Sequence, residues 1–389
     1  MNVIKDAVHG NVHISDFELS LLDTPQMQRL RRLKQVGVAD LVYPGANHTR
    51  FEHSIGTMHL ASEMAESASL PKQSEKILRA AALLHDVGHG AFSHESEAIL
   101  SSRTGKTHEE IGWERISKGE IADVLKAEGI PLAELKDAYF GKGFGGLITF
   151  GLGADRMDYL LRDSHCTGVA YGVIDYGRLI HTIRMARDGP VVEYGGLEAA
   201  ESMLIARFLM FSSVYYHHAV RIASAMLRKA CEIAFEEKSL SSKQLEEMND
   251  EELLVSLLSS RRAGKLASGL RGRKLFKRAL QLGAFELEPS ITAKLGDAGV
   301  LERLEKEIAA GAGVSVDDVL VDFPPDYSQG KTDVSVLYKG KEVALESLSG
   351  IVGAIGQAER ARRKLIVASA PEKKEKVGKA AEKILSEVT

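Results

Sequence analysis

Leu83-Leu84-His85-Asp86-Val87-Gly88-His89-Gly90-Ala91-Phe92-Ser93-His94 is the stretch on which the reading turns. An apolar run ends in an adjacent His-Asp pair, and two further histidines follow on a segment punctuated by Gly88 and Gly90. Ile77, Leu78, Ala80, Ala81, Ala82, Leu83 and Leu84 make residues 75–84 a buried helix, so His85 and Asp86 stand at its end, where imidazole and carboxylate can converge on a cation. A buried carboxylate without a counter-charge is costly, and a metal supplies one. Gly88 and Gly90 are expected to free the backbone to turn.

Seven of the 13 histidines (His48, His53, His59, His85, His89, His94, His108) fall between residues 48 and 108, where an even spread would place about two. His48 and His59 read as core or surface histidines. His85 and Asp86 alone would make a weak site, so more donors are needed. His53, in Arg50-Phe51-Glu52-His53-Ser54-Ile55-Gly56, opens a helix beside Arg50. Asp155 lies in Gly153-Ala154-Asp155-Arg156-Met157-Asp158-Tyr159-Leu160-Leu161-Arg162-Asp163. There Asp155, Tyr159 and Asp163 share one helix face, while Asp158 and Arg162 form an i,i+4 pair on another. A carboxylate, a phenol and a second carboxylate in a row suit the wall of a polar pocket. Two histidines and two aspartates give mixed N/O ligation with positions left for water and a substrate oxygen, so hydrolysis is the natural chemistry. The donors exclude thiolate-type sites and leave Fe, Mn, Zn, Ni and Mg open. His89, His94 with Glu97 three residues on, and His108-Glu109 are candidates for moving protons near neutral pH.

The rest of the chain bounds the architecture. At 389 residues, with 44% hydrophobic and 27% charged residues and a net charge of −4, it can bury a full core and is no nucleic-acid coat. Cys166 and Cys231 form no disulfide framework, which suits a reducing cytoplasm. Met1-Asn2-Val3-Ile4-Lys5-Asp6 lacks the apolar core of a signal peptide and no run of eighteen apolar residues occurs, so a cytoplasmic protein without a membrane span is expected. Three units are expected: a helical globule over 1–235, a charged helical extension over 236–312, and a small α/β lobe over 313–389. Asp23-Thr24-Pro25 reads as a cap and first-turn proline. The extension gathers Arg261, Arg262, Lys265, Arg271, Arg273, Lys274, Lys277 and Arg278, read as a solvated face with phosphate or subunit contact as the alternative. In the lobe, Val319-Leu320-Val321-Asp322-Phe323, then Val334, Val336 and Tyr338, then Leu365-Ile366-Val367 read as strands. Val377, Ala381, Ile384 and Val388 form the packed side of a last helix.

Together these motifs resemble the HD-domain phosphohydrolase superfamily, and within it the SAM-and-HD-domain dNTP triphosphohydrolases, with no SAM domain ahead of the matching part. The resemblance rests on Asp23 to Arg31, Tyr43-Pro44-Gly45-Ala46 leading into the His53 motif, the His85–His94 block, Thr107-His108-Glu109 and Asp155 to Asp163. It implies a mainly α fold, an HD-domain helical bundle with a small C-terminal α/β lobe. It implies His53, His85, Asp86 and Asp155 as ligands of one divalent metal, with additional Mg accompanying the nucleotide. His89, His94, Glu97 (where the family has aspartate), His108 and Glu109 would surround the scissile phosphate. Arg50, Arg156 and Arg207 would hold the triphosphate, Gln35, Tyr159 and Asp163 the sugar, and Tyr215 would face the base. Val36 replaces a larger leucine that crowds a ribose 2′-OH, so sugar discrimination should be looser. Asp23, Gln28 and Arg31 match an activating nucleotide site that Asn2, Lys5, Gly195 and Ala199 leave incompletely matched. A homo-oligomer, dimer or tetramer, is implied as well. The reaction would be attack of water at the α-phosphorus, releasing deoxynucleoside and inorganic triphosphate. His94 is the favoured proton donor to the leaving oxygen, with His108 or His89 as competing assignments. Two other readings stay open: a nucleotidase or other phosphoester hydrolase releasing orthophosphate, and a nucleotide-sensing or nucleic-acid-binding protein with vestigial activity.

Overall fold

Reciprocal capping boxes start several helices, three of them in the N-terminal part of the chain. Ser15 with Glu18 opens Asp16–Leu22, Thr49 with Glu52 opens Arg50–Ser67, and Thr107 with Glu110 opens His108–Ile116. Each pair satisfies two of the N–H groups that a helix start leaves without partners. Two of these starts matter for chemistry, because Arg50 and His108 are the first residues of their helices and His53 is in the first turn. The computed structural model describes residues 2–324 and 334–386.

The Arg50–Ser67 helix runs through the middle of the molecule, packed between Lys72–Leu84 and Ala154–Thr167. Around it, Val12, Ile14, Leu21, Met58, Leu78, Leu135, Met157 and Met203 belong to one contiguous core. A second core joins His218–Glu236 to Asp250–Ser259 and Ala263–Arg271, and takes in Ile99, Leu100 and Ile111 from the helices that begin with His94 and His108. A third lies between Ala298–Ala312, Lys374–Ser386 and the strands beside them.

Among the described residues nine short strands interrupt the helices: β1 (Asn2–Asp6), β2 (Gly10–Ile14), β3 (Ile183–Met185), β4 (Pro190–Glu193), β5 (Lys277–Gly283), β6 (Val319–Asp322), β7 (Ser335–Tyr338), β8 (Lys341–Ala344) and β9 (Lys364–Ser369). They form a hairpin β1-β2, a four-stranded sheet in the order β3-β4-β7-β8, and a three-stranded sheet in the order β5-β9-β6. The chain is mainly α, as its periodicity requires, and the three period-two segments are β6, β7 and β9. They do not make one lobe. β7 pairs in parallel with β4, and Val334, Val336, Leu345 and Val352 join the main core. β5, in the stretch expected to be wholly helical, pairs with β9. The hairpin β1-β2 lies within the part expected to be helical. Strand pairings therefore cross the expected divisions at 235 and 312. Period-two patterning reports which face of a strand is buried and carries nothing about a partner 50 or more residues away. Of the last helix, Val377, Ala381 and Leu385 are buried against the third core; Val388 is outside the described residues.

Other local expectations change in detail. Thr24 is the N-cap of Pro25–Arg29, and Asp23 closes the preceding helix. Part of the basic cluster is engaged internally: Arg262 pairs with Asp317 and Glu236, Lys265 with Asp318, and Arg273 donates to the Leu41 carbonyl. Arg273, Lys277 and Arg278 also line, with His218 and Lys374, a cavity of about 250 Å³. No helix among the described residues is long and apolar enough to cross a membrane.

Gly88 and Gly90 serve contact rather than φ. Neither has a positive φ; those of the turn fall on Phe92 (+56°) and Ser93 (+54°). A Cβ on Gly88 would lie 1.9 Å from the His108 carbonyl oxygen and 2.4 Å from the Gly112 nitrogen, whereas one on Gly90 would meet nothing closer than 3.2 Å. Gly88→Ala is expected to cost about 1–3 kcal/mol or more by overpacking, and Gly90→Ala clearly less. Urea unfolding of the two variants side by side checks the difference, and equal costs would contradict it.

Candidate metal centre and surrounding pocket

His85 caps the C-terminus of Lys72–Leu84 and Asp86 follows it, while His53 and Asp155 project from the first turns of their helices. His53 Nε2 lies 3.2 Å from His85 Nε2 and 3.1 Å from Asp155 Oδ1; His85 Nε2 lies 3.3 Å from Asp86 Oδ1 and 3.8 Å from Asp155 Oδ1. The far nitrogens fix the tautomers. His53 Nδ1 donates to Asp158 Oδ2 at 2.7 Å and His85 Nδ1 to the Ala82 carbonyl at 2.7 Å. In the neutral rings both Nε2 atoms would present lone pairs to one point, where a cation, whether a proton or a metal ion, joins them. Ligands bound at about 2.0–2.2 Å with angles near 90–110° stand about 3.0–3.5 Å apart, a range that three of these separations meet and the 3.8 Å between His85 and Asp155 exceeds. His53, His85 and Asp86 together meet the geometry of a metal-holding group. Burial opposes a charge on His53, yet Asp155 and Asp158 carry its pKa up to about 10: the spot draws positive charge. Burial would likewise raise Asp86, but the Arg50 guanidinium and the His85 and His89 rings hold it well below the carboxylate range.

Behind the ligands lies a layer that sequence reading placed on a different face and left unused. Asp158 is fully buried; it accepts from His53, from His9 Nε2 at 2.6 Å and from both Arg162 Nε and Nη2 at 2.9 Å, while Arg162 also meets Asp6 at 2.9 Å. His9 comes from the β1-β2 turn, where Asp6 Oδ1 accepts the Val8 and His9 N–H groups. A Cβ on Gly56 would lie 1.9 Å from Asp158 Oδ1. The glycine three residues after His53 was thus the legible trace of a carboxylate packed under that imidazole. For His9 no local pattern gave a sign.

The proton-moving candidates gather on the other side of Asp86. His89 is buried, its Nε2 3.3 Å from Asp86 Oδ1 and its ring stacked on His108 at 4.0 Å. Burial, with Arg50 and His108 nearby, keeps it well below the usual histidine range and neutral. Glu97 bridges two imidazoles, accepting from His94 Nδ1 at 2.8 Å and from His108 Nδ1; those contacts outweigh its burial and lower its pKa. His108 is raised, its burial overcome by Glu97 and Glu109, whose Oε1 lies 3.5 Å from His108 Nε2. The His94 side chain is 64% exposed and open to a ligand. Arg50 spans the two halves, donating from Nη1 to Asp86 at 2.6 Å and from Nε to the Ser93 hydroxyl, while its buried Nη2 has no hydrogen-bond partner among the described residues.

Asp163 accepts from His48 Nε2 at 2.7 Å and from the Tyr215 hydroxyl. Tyr215 ends a π-helical turn, Phe211–Tyr215, of the kind often found at functional sites. Gln35 is joined to this group through its N–H to the His48 carbonyl at 3.0 Å. His48 is thus a buried histidine tied to Asp163, as a core histidine would be. Burial disfavours its charge, but Asp163 lifts its pKa to about 9. Tyr159 and Arg156 are partly buried on the Asp155 helix, and buried Arg207 sits 3.5 Å from Glu359 and over the Phe211 ring. Val36 is half-buried between Gln35 and Gly37. Further out, Gln28 accepts from Arg31 at 3.0 Å, and Arg31 lies on the Phe51 ring at 3.7 Å. Among the described residues no hydrogen bond or ion pair joins exposed Asp23 to Arg31.

Residues 50–139 match the HD domain family and residues 174–387 the family described as HD associated region. The chain belongs to the HD-domain phosphohydrolase superfamily. An uncharacterized protein of Methanocaldococcus jannaschii is 39% identical over 295 residues, 74% of this chain and 62% of that one. A protein of Dictyostelium discoideum named deoxynucleoside triphosphate triphosphohydrolase SAMHD1 homolog is 26% identical over 314 residues, 71% of this chain and 59% of that one. The matches span roughly three fifths of these relatives' lengths. A crystal structure of a hypothetical protein from Aquifex aeolicus superposes with a TM-score of 0.80 at 28% identity, covering 97% of this chain and 99% of that one.

Asp158→Asn should weaken divalent-metal binding about 10- to 100-fold, read by competition against a chelator; unchanged affinity would deny the layer its role. His48 supplies a pH test. Its folded pKa, about 9, lies above the unfolded value of about 6.5, so its stabilisation is complete below the latter and fades as pH rises through the former. The stability gap between wild type and His48→Gln should narrow across that window by on the order of 2 kcal/mol, measured by urea unfolding. A gap constant with pH would contradict the assignment.

Proposed function

We propose that this protein hydrolyses deoxynucleoside triphosphates to deoxynucleoside and inorganic triphosphate. The observation that carries the reading is the convergence of His53, His85 and Asp86, with Asp155 against both histidines, beside a carboxylate-bridged histidine pair, His94-Glu97-His108. A divalent ion held by those four residues supplies an activated water and neutralises charge on the phosphate.

The chain's own groups would do the rest. Arg50 directs a buried, unpartnered Nη2 from beside Asp86, suited to a phosphate oxygen, and Arg156 and Arg207 would hold the outer phosphates. Glu97 fixes the orientation of both His94 and His108, so that a proton on the open His94 Nε2 can pass to the 5′-oxygen as the bond from that oxygen to the α-phosphorus breaks. Neutral, buried His89 and His108 with Glu109 would line the α-phosphate. On the other side Tyr159, Asp163 and Gln35 meet the sugar and Tyr215 the base, with His48 keeping Asp163 in place. Discrimination against a 2′-hydroxyl should be modest, because Val36 presents a small side chain. The Dictyostelium relative's printed name agrees with this reading. Homo-oligomerisation and the Asp23-Gln28-Arg31 activator site belong to the same proposal.

The test is product identity. The protein should be incubated with dNTPs, NTPs and nucleoside monophosphates in the presence of Mn, Fe, Mg, Zn or Ni, with and without GTP. Deoxynucleoside and triphosphate are expected from dNTPs; orthophosphate as the first inorganic product would move the protein to the phosphoester-hydrolase reading. Asp155→Ala should abolish turnover. His94→Asn should lower kcat about 10²- to 10⁴-fold with bound metal unchanged.

A further inference from the structure

Two chain segments carry Gln35, His89 and His94: Lys34-Gln35, and the turn from Val87 to His94. Neither is a regular element over most of its length, and Phe92 and Ser93 both hold positive φ. Non-glycine residues stay in such conformations only where their surroundings fix them. The fixing groups come from elsewhere in the chain. Asp250, the first residue of Asp250–Ser259, accepts the Lys34 N–H on Oδ2 at 2.8 Å and the Phe92 N–H on Oδ1 at 2.6 Å. One carboxylate thus ties both segments together. Arg29 makes its hydrogen bonds to carbonyl oxygens: His89 at 2.7 Å, and Glu246, Glu247 and Met248 at 3.0, 2.8 and 2.6 Å. Arg115 bridges the Val87 and Glu246 carbonyls at 2.6 and 2.8 Å. The two guanidiniums take up the carbonyls left open where Ser242–Glu247 ends.

We propose that Asp250, assisted by Arg29, is a positioning residue through which the 242–259 helices hold the Lys34-Gln35 and Val87–His94 segments in their working geometry. The side chain is 5% exposed, and burial pushes its carboxyl up to about 6, opposed by the two N–H groups and the Lys34 and Arg29 charges. A helix first residue could face water at no such cost. The catalytic part of the inference rests on the proposed phosphohydrolase reading, because it assigns work to His89, His94 and Gln35; the mechanical part does not.

The experiment uses the full chain with metal bound and compares wild type, Asp250→Ala and Asp250→Asn. Amide hydrogen exchange should accelerate about 10- to 100-fold at Lys34 and Phe92 in Asp250→Ala, with the amides of His218–Glu236 unchanged. Asp250→Asn keeps the shape but only one acceptor oxygen, so just one of the two amides should lose protection. Metal content should hold in both variants, while kcat falls at least tenfold with KM little changed. Wild-type exchange at both amides in Asp250→Asn would overturn the proposal. So would protection lost evenly through the second core, the mark of a merely structural residue. If the wild type hydrolyses no nucleotide, the proposed function fails, and the exchange pattern still decides the clamp.

Discussion

Two imidazole nitrogens held 3.2 Å apart and turned toward one cation-drawing point, His53 Nε2 and His85 Nε2, form the constraint around which this molecule is arranged. Each ring is oriented by a bond on its far side, to Asp158 and to the Ala82 carbonyl. Neither can therefore relieve the contact by turning. Asp86 and Asp155 add negative charge at the same point, and the resulting field draws a cation. The three helices that bring these residues together all contribute to the main core. Packing thereby holds together a cluster of donors that a bound cation stabilises.

Charge is layered outward from that point. Asp158 sits under His53, and Arg162 and His9 sit on Asp158. On the opposite side Arg50 neutralises Asp86 and reaches Ser93. Buried ions here occur in pairs or chains, which is what low dielectric demands. The arginines divide into two uses. Arg50 and Arg162 compensate carboxylates, whereas Arg29 and Arg115 collect backbone carbonyls at a helix end and at the turn bearing His89. The helices after residue 236 thus reach into the surroundings of the site, although they contribute none of the four metal-ligand candidates.

Much of this was readable in one dimension. An apolar run ending in His85-Asp86 states where a buried helix stops and what it presents there. The four-residue spacing of Asp155, Tyr159 and Asp163 states that three polar groups share a face. The other face carried less: Asp158 and Arg162 read only as an i,i+4 pair, and the neighbouring helix, with Gly56 in contact, makes them interior. Gly88 and Gly90 look alike in sequence, and their difference comes from His108 and Gly112 packed on one of them. His48 read as core because nothing near it in sequence announces Asp163 and Tyr215.

By itself the sequence determined the helical class, the helix starts and the identity of the polar residues offered at helix ends, because caps, periodicity and residue chemistry act over a few neighbouring positions. Tertiary structure alone decided which polar pair is buried, which strands meet, and that one carboxylate at residue 250 bonds two N–H groups 58 residues apart in the chain, Lys34 and Phe92. Those outcomes depend on distances between segments remote in sequence, and such distances are fixed only when the whole core packs.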